Sequence, residues 1–233
     1  MCTPRTFATE HHWSYGGETG PDKWGSLDAE NVVCSAGGQQ SPIDVAGAIV
    51  AREPRLKIRW IKGPDTIVNN GHTIQIDFAE GNTLRLGDSS YVLKQFHFHH
   101  PSEHLVQGKR FAMEAHFVHA ASDGLAVVGV LMVAGKPNAV FKKIVATMPS
   151  EEGSAVPVAA IDPRQLLPVQ QVYYHYEGSL TTPPCSETVN WIVLAHPLEV
   201  DEADIARFAA LYPMNARPVQ KVDRRFILSS GPR

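Results

Sequence analysis

Apolar and polar residues alternate over short runs through much of the chain. Thr73–Phe78, Tyr91–His99 and Phe111–His119 change face residue by residue, the period of a half-buried strand. Leu125–Val133 is continuously apolar and reads as a buried strand, and Asn190–Leu194 as another. Two segments carry the helical period instead. Asp201–Tyr212 opens on acidic residues and repeats its apolar positions at Ile205, Phe208 and Leu211; Ala139–Met148 is a second, shorter helix. Met1–Pro42 is rich in turns, and Trp13, Tyr15 and Trp24 are expected to pin it to the core. Strands dominate, helices are few, and no βαβ alternation occurs, so the fold class is mainly β.

Composition narrows the picture. A length of 233 residues suits a single domain, since β-rich domains commonly reach ~200–250 residues; residues 1–11 are expected to be a frayed terminus. Hydrophobic residues at 43% and charged residues at 19% supply a sizeable core and exclude a disordered chain. A net charge of -3 leaves no basic surplus to neutralise phosphates, so nucleic acid is not an expected partner. The longest apolar run, Leu125–Ala134, is too short for a bilayer span, which needs about 20 residues. None of Cys2, Cys34 and Cys185 forms a CxxC, which excludes a cysteine zinc knuckle. Cys34 and Cys185 can close a long loop or remain buried thiols, and Cys2 is left over. The opening Met1-Cys2-Thr3-Pro4 has no apolar signal segment: the protein is cytosolic, or a leader is absent from this sequence.

The chemistry gathers around histidine. Five of the 11 histidines fall between His97 and His116. On a strand, His97 and His99 point to one face while Phe96 and Phe98 point to the other. His116 follows 17 residues after His99, a distance suited to a neighbouring strand. Three imidazoles with one open position suit a catalytic zinc site, because a structural site would be closed by a fourth protein ligand. Gln95 and Glu114 each lie two residues before a candidate ligand, on the same strand face, where they can accept the second ring N–H of His97 and His116. A carboxylate such as Glu114 inside an apolar strand needs such a partner. A competing template is the cupin dioxygenase motif, which His97-x-His99-xxx-Glu103 also fits. That motif wants a Pro-x-Gly turn before its last histidine, and Arg110–Ala115 contain neither residue.

Nearly the whole chain resembles the alpha class of carbonic anhydrases, bacterial type. The resemblance rests on His12-Trp13-Ser14-Tyr15, Gly20-Pro21-xx-Trp24, Gln40-Ser41-Pro42-Ile43-Asp44, Asn69-Asn70-Gly71-His72 and Gln95-Phe96-His97-Phe98-His99. It continues through Glu103-His104, Glu114-Ala115-His116-Phe117-Val118-His119, Gly178-Ser179-Leu180-Thr181-Thr182-Pro183-Pro184, Trp191-Ile192-Val193-Leu194 and Asn215-Ala216-Arg217-Pro218. It implies one domain around a large, twisted, mostly antiparallel sheet with a few short surface helices. It implies Zn2+ held by His97, His99 and His116, with Gln95, Glu114 and the carbonyl of Asn215 behind them. The implied reaction is reversible hydration of CO2 to bicarbonate and a proton by a zinc hydroxide, with a side activity on activated esters.

Other roles follow from the same resemblance. Thr181 accepts a hydrogen bond from the hydroxide and donates to Glu103. Thr182 contacts bicarbonate. Val118, Val127, Leu180, Val189 and Trp191 form the apolar wall for CO2, although by composition alone they read as core. His72 is the proton shuttle, and Tyr15, Asn70 and Gln75 line its water path. His104 and His119 are structural. His100 stands where many members carry tryptophan, which puts the packing behind the zinc in question. A disulfide between Cys34 and Cys185 is implied, hence an oxidising compartment, periplasmic or extracellular. Ser41–Pro42 and Pro183–Pro184 are expected to be cis. Sulfonamide inhibition is expected, and a homodimer is left open because no interface signature is visible. A non-catalytic binding module is the alternative from another class; intact His97, His99, His116, Thr181 and Glu103 argue against it.

Overall fold

The computed structural model describes residues 12–61, 63–158 and 161–231. Cys2, His11 and the expected fraying of residues 1–11 lie outside the described residues. Among the described residues, the Val-, Ile- and Phe-rich runs assemble into one 12-stranded sheet. Its centre has the spatial order Ile74–Phe78, Ser89–His99, Met113–Ala121, Gly124–Ala134, Val189–Val200 and Tyr173–Gly178. Neighbours are antiparallel except Gly124–Ala134 and Val189–Val200, which run parallel. A hairpin cannot join a parallel pair, and between these two strands the chain makes the helix Ala139–Thr147 and adds Ala155–Pro157 and Tyr173–Gly178 to the same sheet.

The alternating pattern sorts side chains onto the two faces. Phe96, Phe98, Phe117, Val128, Val130 and Ile192 face one side and belong to the larger apolar cluster. Two helices cover that side. Ala139–Thr147 buries Phe141 and Ile144, and the Asn138 side chain caps it by accepting from Val140 and Phe141 N–H. Glu202–Leu211 buries Ile205 and Phe208, capped by Asp201 through Ala203 N–H. The other face carries a smaller cluster around Ile43, Val127, Tyr176, Trp191 and Val193, together with the histidines.

Several boundaries differ from the sequence expectations. The strand expected from Phe111 begins at Met113, because Ser102 takes Phe111's backbone: its hydroxyl oxygen accepts from Phe111 N–H and its own N–H donates to Phe111 O. The run expected over Asn190–Leu194 continues to Val200, because after a register shift Leu198–Val200 pair with Met132–Ala134. Trp13, Tyr15 and Trp24 do not enter the main core. They form a third cluster around Cys34 and Cys185, which are joined by a disulfide. Ser41–Pro42 and Pro183–Pro184 are cis, and so is His100–Pro101, which was not expected.

Candidate functional site

Sheet register brings the histidines together. His116 stands directly opposite His97, and Glu114 opposite His99, across the antiparallel pair. One ring nitrogen from each of His97, His99 and His116 lies within 4.8 Å of the others. The remaining nitrogens are engaged from behind. His97 Nδ1 donates to Gln95 Oε1 at 2.8 Å, and His99 Nδ1 donates to Asn215 O at 2.7 Å. His116 Nε2 lies 2.9 Å from Glu114 Oε1. These contacts leave His97 Nε2, His99 Nε2 and His116 Nδ1 for a ligand, and His99 Nε2 is buried with no protein partner.

Burial holds all three imidazoles below their ordinary pKa, His99 at about 4. They are therefore neutral at physiological pH, the form that binds a metal. Three neutral nitrogens with supported second nitrogens suit a borderline cation such as Zn2+ and leave room for a further ligand. The residues present fit a metal ion.

Glu114 is fully buried, and its surroundings answer the cost of burying a carboxylate. Glu103 N–H and His104 N–H donate to Oε2 at 3.0 and 2.8 Å, while His104 Nδ1 lies 2.8 Å from Oε1. Burial raises its pKa, but His104 and His116 outweigh that and hold it well below the usual carboxylate range. His104 Nε2 continues the chain to Tyr176 Oη at 2.6 Å, and Tyr176 donates to Ser41 Oγ at 3.0 Å.

Glu103 is also fully buried, and Arg217 N–H donates to its Oε1 at 2.7 Å. Burial pushes its pKa up to about 7; His116, the Thr181 side chain and the Arg217 amide pull the other way. The Arg217 guanidinium donates to Ser41 O and Cys34 O at 2.8 and 2.7 Å. Glu103 is thus tied through Arg217 to the segment that carries the disulfide.

Val118, Val127, Leu180, Val189 and Trp191 belong to one apolar cluster on the histidine face, and the Trp191 ring centroid is 4.8 Å from that of His116. Thr182 O accepts from Cys185 N–H at 2.9 Å, which closes the turn after Thr181. His72 is stacked on Trp13, centroids 3.7 Å apart, with His12 at 5.4 Å. Asn70 Nδ2 donates to Gln75 Oε1 at 3.4 Å, and Gln75 Nε2 to Asp77 Oδ1 at 2.7 Å. Burial, with the charges of Glu103 and Tyr212, raises the Tyr15 pKa well above its usual value. His100 N–H and ring both bind the Pro213–Asn215 segment, at 2.7 Å to Asn215 Oδ1 and 3.0 Å to Pro213 O. His100 therefore helps to present the Asn215 carbonyl to His99.

Sequence reasoning missed Gly129, Arg217 and Asp77 as parts of the site. A lone glycine inside the apolar run Leu125–Val133 was the available signal for a close approach. Arg217 stood inside the motif block Asn215-Ala216-Arg217-Pro218, but nothing in its neighbours along the chain pointed to its burial or its contact with Glu103.

A family profile for eukaryotic-type carbonic anhydrases matches residues 19–231. A carbonic anhydrase of Klebsiella pneumoniae is 43% identical over 222 residues, covering 93% of this chain and 90% of that protein. One of Neisseria gonorrhoeae is 40% identical over 220 residues, covering 93% and 87%. The alpha-carbonic anhydrase of Thermovibrio ammonificans, solved with the inhibitor sulfanilamide, superposes with a TM-score of 0.91 at 41% identity, covering 94% of this chain and 99% of that one.

Proposed function

The chain belongs to the eukaryotic-type, alpha-class carbonic anhydrase family, and on that premise we propose that it interconverts CO2 and water with bicarbonate and a proton, using Zn2+ held by His97, His99 and His116. The observation that carries this reading is the set of three neutral, converging imidazoles beside an apolar cluster. When bound, zinc lowers the pKa of its water to about 7, the established value for this enzyme class, and so supplies a nucleophile at neutral pH.

The chain's own residues do the rest. Gln95, Glu114 and Asn215 O hold the three rings in orientation and tautomer. Glu103 takes the Thr181 hydroxyl proton in a hydrogen bond, so the Thr181 oxygen accepts from the attacking solvent and turns a lone pair toward carbon. Val118, Val127, Leu180, Val189 and Trp191 shelter apolar CO2, and Thr182 offers a polar contact to bicarbonate. His72 accepts the surplus proton along a path lined by Tyr15, Asn70 and Gln75 and passes it to buffer. Activated esters and inhibitory sulfonamides enter the same site. The Cys34–Cys185 disulfide supports an oxidising compartment, periplasmic or extracellular.

Stopped-flow CO2 hydration with a pH indicator tests the reading. The zinc-loaded protein is expected to hydrate CO2 rapidly, and His116→Ala to lose both zinc and activity. No hydration above buffer background, with one zinc per chain, would overturn it.

A further inference from the structure

A carboxylate outside the metal centre lies against the turn that carries the imidazole assigned to proton export. His72 follows Gly71, whose φ of +83° is the left-handed conformation glycine favours. The segment after Pro149 is fastened to the same turn. Asn69 Nδ2 donates to Pro149 O at 3.1 Å, Asn69 N–H to Ser154 O at 3.0 Å, and Gly153 N–H to Asn69 O at 2.8 Å. These bonds place Glu152 against Gly71: a Cβ there would lie 2.5 Å from Glu152 Oε1. Only glycine at 71 lets the carboxylate come so close to the turn that carries His72.

The other groups around His72 are of two kinds. Trp13 covers one ring face, Tyr15 lies edge-on at 6.5 Å, and Asn215 Nδ2 donates to His72 O at 3.0 Å. The titratable neighbours are His12 at 5.4 Å, and Asp28 and Glu30, which share with His72, Pro183 and Pro184 the wall of a cavity of about 340 Å³. We propose that Glu152 is a positioning residue of the proton exit: its carboxylate, lying against Gly71 at the turn that carries His72, faces the positive charge that the ring takes up with each exported proton. This rests on His72 acting as the shuttle. Burial holds His72 below its ordinary pKa, His12 pushes it the same way, and Glu152 pushes it back up. Burial raises the Tyr212 pKa to about 12, and the Glu152 charge adds to that shift. An acceptor that binds protons more readily takes them faster from the site, so the step that Glu152 serves is export.

The test uses zinc-loaded protein, the NMR titration of the His72 ring, and the pH profiles of kcat and kcat/KM. In Glu152→Gln the His72 midpoint is expected to fall, and in Glu152→Lys to fall further. With Glu152→Gln, kcat in weak buffer falls roughly two- to fivefold, the span of an exposed charge interaction. The ratio kcat/KM holds, because export follows bicarbonate release. Added imidazole restores kcat, and salt narrows the gap between variants. An unchanged His72 titration in both variants at low ionic strength overturns the inference. If His72→Ala itself leaves kcat unchanged, the shuttle reading fails. If His72→Ala is slow and rescued by imidazole while both Glu152 variants match the wild type, only the role of Glu152 fails.

Discussion

Gly129 stands opposite His116 in the sheet, and a Cβ there would lie 2.9 Å from Glu114 Oε1. The Glu114 carboxylate cannot step aside cheaply, because two backbone N–H groups, His104 and His116 all hold it. Gly129→Ala is therefore expected to tilt Glu114 away from His116 and weaken zinc binding by about 10- to 100-fold, the usual cost of losing a partner behind a metal ligand. Competition with a chromophoric chelator reads this directly, and an unchanged zinc affinity would sink the argument. The same residue shows where legibility stops at this scale. His97, His99, Gln95 and Glu114 declare themselves by strand period. Gly129 is one small residue in an apolar run until its neighbour across the ladder is known.

The loop from Thr181 to Cys185 is a short element with a single covalent anchor. Cys185 is bonded to Cys34 across 151 residues, its carbonyl accepts from Gln40 Nε2 at 3.1 Å, and Arg217 reaches Cys34 O. By chain-entropy arguments, a cross-link closing a loop of this length stabilises the fold by about 5 kcal/mol. The cross-link packs among Trp13, Tyr15, Trp24 and Leu27, in a cluster separate from the one beside His97, His99 and His116. Reduction, or Cys34→Ser with Cys185→Ser, should lower the urea midpoint markedly while zinc stays at one per chain. Equal melting with and without reductant would refute this. The strands were legible where alternation is strict, at Tyr91–His99 above all. They were misread where a side chain intervened, as Ser102 does at Phe111. Their ends were missed where only a distant partner prolongs pairing, as Met132–Ala134 prolong the strand beyond Leu194.

The whole molecule feels pH through its buried histidines. His119 is fully buried beside Trp60, and its Nδ1 donates to Phe117 O and Ala126 O at 2.9 and 3.3 Å. Burial lowers its pKa from 6.5 to about 4. Between those values the unfolded chain binds the proton and the folded one does not, so stability falls as pH falls through this window and levels below it. The loss from this residue is about 3 kcal/mol. Urea midpoints measured from pH 7 to 4 at constant zinc loading should decline, with a shallower slope for His119→Gln; equal slopes would remove His119 as the cause. The sequence by itself determined what depends on neighbours along the chain. Strand period put His97 and His99 on one face, the acidic start and apolar repeat of Asp201–Tyr212 marked a helix, and ordered motif blocks pointed to the family. Tertiary structure alone decided what depends on which strand lies beside which: His116 opposite His97, Glu114 over Gly129, the Arg217 amide on Glu103, and Glu152 against Gly71. Period is a property of the local backbone. Register and long-range packing are set by the burial of the whole core, which no short segment encodes.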